Sequence, residues 1–186
     1  MTPTTPSSVT IAATTTWLER AVIGLNLCPF AKAVHVERQI RYVVSEATTP
    51  AALAIDLMRE LEFLAEASAE TVDTTLLIHP HVLQDFLDFN DFLDVADGIV
   101  EERELEGILQ VASFHPQFQF ENTELNDITN YSNRSPYPTL HLLREDSVER
   151  AVAAFSEELE IASANIETLE RLGHDGWKAL EIPSVE

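Results

Sequence analysis

One cysteine, five glycines and eleven basic residues are all that a chain of 186 residues contains of those types. Each scarcity excludes something. With Cys28 alone, no disulfide can form within the chain, and a reducing, cytoplasmic compartment is expected. Five glycines leave no GxGxxG or Walker A candidate, so a nucleotide cradled by a Gly-rich loop is not expected. The eleven Lys and Arg face 32 Asp and Glu, a formal charge of −21. Nucleic acids are held mainly by Lys and Arg on phosphates, and anionic membrane surfaces also attract cations, so both are excluded as partners. No stretch approaches the roughly 18 uncharged apolar residues of a membrane span. The opening MTPTTPSSVTIAATTT holds no Lys, Arg or apolar run, so neither a secretory signal nor an Arg-rich transit peptide is expected there.

What is present is a globular chain. Its hydrophobic fraction of 45% is enough to offset the entropy of ordering. At this length folding buries roughly 70% of the unfolded surface, enough for one sizeable core. Residues 1–10 are Thr/Ser/Pro-rich and read as a mobile tail. A helix fits about 12–27, with Trp17, Leu18, Ala21, Val22 and Leu25 at helical spacing. Gln39 to Ser45 alternates as a strand. Pro50 starts a helix whose stripe is Leu53, Leu57, Leu61 and Leu64. Thr74 to Ile78 is a second strand. Over 81–104, aspartates at 85, 88, 91, 94 and 97 walk around a 3.6-residue helix, which predicts two shorter helices, one ending near Phe89 and one capped by Asn90. A third strand covers Ile108 to Phe114 and a fourth Thr139 to Leu143. Helix follows from Ser147 through about residue 172, and the last dozen residues are expected to fray.

The order αβαβαββα predicts an α/β (or α+β) fold: a mixed four-stranded sheet with packed helices. It forms a single domain over 11–172, flanked by tails 1–10 and 173–186. Two β-α-β crossovers favour three parallel strands, with the fourth returning antiparallel beside the third.

An internal echo points to a site. Strand two ends in His79-Pro80 and strand three in His115-Pro116, so parallel strands put both histidines at the carboxyl edge, where open α/β sheets bind ligands. Alternatively each histidine caps strand-end carbonyls while proline ends the ladder. A loop of about twenty residues follows His115. It carries Asn130, Asn133, Arg134 and Tyr137, is stiffened by Pro136 and Pro138, and should enter the fourth strand at the same edge. Arg134 offers a fork suited to a carboxylate or phosphate, or else neutralises an acidic neighbour. His141, inside the fourth strand, reads as a core histidine sharing a face with Thr139 and Leu143. Cys28 is an inert thiol if the first helix simply ends there. If Pro29 begins a new helix, Cys28 is its N-cap and the helix dipole favours thiolate. There is no HExxH, CxxC or EF-hand loop, and nothing names a cofactor.

The stretches WLERAVIGLNLCPFAKAVH (17–35), IHPHVLQDFLDFNDFLDVAD (78–97), LEGILQVASFHPQFQF (105–120) and NRSPYPTLHLLRE (133–145) resemble the bacterial domain-of-unknown-function family 1415. The resemblance spans about Trp17 to Arg150. It implies a small cytosolic single-domain protein and supplies no reaction. The leading expectation is therefore a small-molecule enzyme or binder with a rim pocket for an anionic ligand. In it His115 is the general acid or base and Cys28 a nucleophile. Arg134 holds the anion, and Asn130, Asn133, Tyr137 and His79 complete the site. Two alternatives stand beside it. One is an acidic interaction surface over 81–106, where nine acids face Arg103 alone. The other is a divalent metal held by His79, His115, His141 or Cys28.

Overall fold

The computed structural model describes residues 6–153 and 158–183. Helix α1 (Pro6–Trp17) runs into a π-helical turn (Leu18–Ile23), and α2 (Pro29–Val36) follows. Strand β1 (Ile40–Val44) leads to α3 (Pro50–Glu66), β2 (Thr74–Ile78), α4 (Phe86–Glu102) and β3 (Leu109–Phe114). A long loop with a 3-10 turn (Ile128–Asn133) reaches β4 (Thr139–Arg144), then α5 (Glu145–Ala153) and α6 (Glu158–Ala179). This is the mixed α/β architecture expected from the sequence.

The strands lie in the order β1-β2-β4-β3. β1 and β2 are parallel, and β4 is antiparallel to both β2 and β3. The antiparallel return beside the third strand is as expected, but β4 also separates β2 from β3. The physical reason lies in the side chains. Leu76, Leu77 and Ile78 of β2 and Leu140 and Leu142 of β4 are almost wholly buried, so these two strands take the centre. β3 carries Gln110, Ala112 and Ser113, and it accepts the edge. β1, β2 and β3 still point the same way, so one rim of the sheet receives their carboxyl ends.

Two layers of helix cover the sheet. On one face α3 and α4 bury Leu53, Leu57, Leu61, Leu64, Phe89, Phe92, Ala96 and Ile99 against Leu77, Leu140, Leu142 and Leu109. Thr49 caps α3 by accepting from the Ala52 N–H at 3.2 Å. The aspartate series does not break α4. Asp85 caps one continuous helix by accepting from the N–H groups of Leu87 and Asp88, and Phe89, Phe92, Ala96, Ile99 and Val100 keep a 3.6-residue apolar stripe. On the other face Trp17, Leu18, Ala21 and Val22 pack with Ala31 beside Ile40, Tyr42 and Phe114.

The chain ends also depart from expectation. Helix begins at Pro6, inside the stretch read as a tail, while residues 1–5 lie outside the described part. The inward positions of α1 are Thr10, Ala13, Thr14 and Trp17, a stripe that hydropathy underrates. The hydroxyls of Thr14, Thr15 and Thr16 donate to carbonyls four residues back, which keeps a Thr-rich helix satisfied. At the other end, α6 kinks at Gly173, whose φ of 64° favours glycine. The chain beyond the kink is held by Trp177 against Tyr131 and by Arg20, which donates to the carbonyls of Leu180 and Glu181. Residues 184–186 lie outside the described part.

Candidate functional site

The rim assembles as the His-Pro echo predicts. His79 donates its backbone N–H to the Pro138 carbonyl and His115 to the Asn133 carbonyl, so the loop before β4 seals the carboxyl edge. Both histidines are fully buried on the α4 side, with Phe89 between them at ring centroid distances of 5.7 and 5.0 Å. Phe86 also packs on His115 at 5.5 Å.

Their nitrogens are largely committed to backbone. The His115 Nε2 meets the Leu83 carbonyl at 3.1 Å and its Nδ1 accepts from the Gln117 N–H at 3.0 Å. That pattern requires the neutral Nε2–H tautomer. Burial pushes its pKa down, opposed by the backbone bond to Leu83. The His79 Nδ1 donates to the Val82 carbonyl at 3.0 Å, and its Nε2 is sealed off with no partner among the described residues. Burial lowers its pKa to about 4.

The loop residues bind one another. Asn130 is fully buried; its Oδ1 accepts from the Phe120 N–H and the Thr123 hydroxyl, and its Nδ2 donates to the Glu124 carbonyl. The Asn133 amide donates to the Ser113 carbonyl. Arg134 donates from Nε to the Phe118 carbonyl at 3.0 Å and from an Nη to the Leu125 carbonyl at 2.6 Å, with its guanidinium 4.5 Å above Tyr131. The arginine therefore braces the loop. Tyr137 contributes its carbonyl, which accepts from the Ser135 and Thr139 hydroxyls, and its side chain is half-buried. Beside Arg134 lies a shallow cleft of about 190 Å³ walled by Tyr131, Pro136 and Trp177.

Cys28 lies elsewhere. Pro29 does begin a helix and Cys28 is its N-cap, but its side chain caps nothing. Burial raises the thiol pKa and outweighs the opposing N–H groups of Ala31 and Phe30, so the dipole does not leave a thiolate here. The thiol faces a partly open cavity of about 230 Å³ between the sheet and the helices on its second face. The sheet separates it from the side chains of His79 and His115. The structure thus brings His79 and His115 together and leaves Cys28 apart from both.

The same cavity holds the residue that sequence reasoning placed in the core. His141 lines it from the middle of β4, opposite Leu76 on β2 and Ala112 on β3. Phe114 packs on His141 at 5.9 Å and Trp17 on Phe114 at 5.0 Å, edge to face. Thr74 Oγ1 stands 2.7 Å from the His141 Nε2 and 2.7 Å from the Leu142 carbonyl. Burial lowers the His141 pKa to about 4. Alternation within each strand puts Thr74, Ala112 and His141 each on one face of its own strand, but their adjacency arises only because β4 lies between β2 and β3.

Among the described residues no three His, Cys, Asp or Glu side chains gather as a metal site, and no helix is long and apolar enough to cross a membrane. The model of the family described as "Protein of unknown function (DUF1415)" matches residues 9–179. The chain belongs to this DUF1415 family. It matches no curated protein and no solved structure. The DUF1415 match takes in the rim, the cavity and both helical layers, including all of α1 but its first three residues.

Proposed function

We propose that the protein binds a small, mainly apolar molecule in the cavity on the second face of the sheet. One observation carries this reading: a cavity of about 230 Å³, walled mainly by apolar side chains, into which a strand-borne histidine faces. Ligand sites of this kind pair a hydrophobic lining with a few placed polar groups. An apolar cavity of roughly 150 Å³ takes up benzene, so the volume suits a bicyclic molecule.

Binding is a better description than catalysis. A histidine with a pKa of about 4 is a weak proton acceptor at neutral pH, and a thiol raised above its ordinary pKa is a poor nucleophile. The rim anion site has less support, because Arg134 is engaged by two loop carbonyls and His115 by backbone at both nitrogens. A cytoplasmic setting suits a single cysteine kept as a half-buried free thiol. The test is calorimetric titration with benzofuran, a neutral bicycle, against the wild type and Ala112→Leu. Saturable binding that the larger side chain abolishes supports the reading; absence of binding to the wild type of both benzofuran and its N–H analogue indole refutes it.

A second reading rests on α4. Asp88, Asp91 and Asp94 are exposed, and Leu87 and Val95 stand in solvent on the same helix, 70% and 47% exposed. A basic partner would dock there, and its capture should fail when the three aspartates become Asn.

A further inference from the structure

We infer that the cavity selects ligands carrying a neutral N–H or O–H donor, because His141 presents a bare acceptor nitrogen to it. The inference rests on the binding reading above and adds the chemical class of ligand. It follows from counting protons at Thr74. The hydroxyl of Thr74 has one proton and two close neighbours, the Leu142 carbonyl and the His141 Nε2, each at 2.7 Å. A carbonyl can only accept, so the threonine proton goes there. The Nε2 must then be the donor of the second bond, which fixes the Nε2–H tautomer and leaves a lone pair on Nδ1.

That Nδ1 has no hydrogen-bond partner among the described residues, and unlike the sealed Nε2 of His79 it remains accessible. His141 sits mid-strand on the face that the cavity covers, so the access is to the cavity. The Thr74 hydroxyl has given its only proton to the Leu142 carbonyl, Gln110 reaches the wall from the solvent-exposed edge strand, and the Cys28 sulfur is a weak acceptor. An isolated acceptor inside an apolar wall penalises any ligand that leaves it unpaired. An anionic group would meet a lone pair, and among the described residues no Lys or Arg is part of the wall. A flat bicyclic molecule with one donor on its ring fits both the volume and the polarity.

Indole and benzofuran test this directly, since they share a shape and differ in the N–H. Titration of the wild-type protein should show indole bound about ten-fold more tightly, ~1.4 kcal/mol. In His141→Phe, which keeps an aromatic ring and removes the acceptor, the two should bind alike. Equal binding to the wild type would overturn the donor inference while leaving the cavity reading intact. Binding of neither would overturn both. A ten-fold preference that survives in His141→Phe would overturn the role given to His141. Should that variant not fold, ring-nitrogen NMR of the wild type decides. The His141 Nδ1 resonance should shift with indole and not with benzofuran, while Nε2 stays protonated; an unmoved Nδ1 would overturn the inference.

Discussion

The rim holds two fully buried histidines and the sheet face one that is partly buried, and the two regions offer different chemistry. At the rim, His115 has both nitrogens bonded to backbone and His79 has one bonded and one sealed away. On the face, His141 has one nitrogen fixed by Thr74 and the other accessible. All three have lowered pKa values with burial as the leading cause, so desolvation does not distinguish them. Unused hydrogen-bonding capacity next to empty volume does. A histidine at the carboxyl edge of a sheet is thus as well suited to fastening a loop as to receiving a ligand.

The sharpest way to break this contrast is His115→Ala. Loss of an aromatic-sized side chain packed on Phe86 and Phe89, with two backbone bonds, should cost about 4 kcal/mol in urea denaturation. Indole affinity should persist in whatever fraction stays folded. A mild loss of stability with abolished binding would return the site to the rim.

Acid comes next. His79 has a folded pKa of about 4 against an ordinary 6.5, so the unfolded chain takes up its proton first as pH falls. The stability tied to His79 is therefore complete above about pH 6.5, declines through that window and is lost near pH 4. The drop amounts to about 3 kcal/mol. The difference in stability between wild type and His79→Phe, followed from pH 7 to 4, isolates it from the carboxylates. A difference that does not change with pH would show that His79 is not held neutral.

Arg134→Ala should cost about 2 kcal/mol through the loss of charge-assisted bonds to Phe118 and Leu125, and Arg134→Lys should not restore it. Increased proteolysis within 116–138 would report the same loosening. The smallest effect is expected on the face: His141→Phe should change stability by under about 1 kcal/mol, since it exchanges one bond to Thr74 for apolar contact.

Much of this was legible from the residues. Strands at Thr74–Ile78 and Leu109–Phe114, the leucine stripe of α3 and the gathering of His79, His115 and the NRSPYP segment at one rim follow from alternation, spacing and the two His-Pro pairs. The insertion of β4 was not, because pairing depends on which strands bury both faces, and that emerges only when all four compete for the centre. The start of the Thr-rich α1 was hidden because its inward stripe is Thr10, Ala13 and Thr14, although the helix from about residue 12 was expected. Most consequential was His141. Alternation put it on a sheet face but could not show whether that face met a helix or a cavity, since the answer depends on helices distant in sequence.

On the function proposed here, the face and not the rim receives the ligand. The most direct measurement is two-dimensional amide NMR of the wild-type protein titrated with indole. Saturating shifts are expected at Leu76, Ala112, His141 and their neighbours, with His79, His115 and residues 116–138 unmoved. Saturating shifts centred on the rim, with the face unchanged, would contradict it.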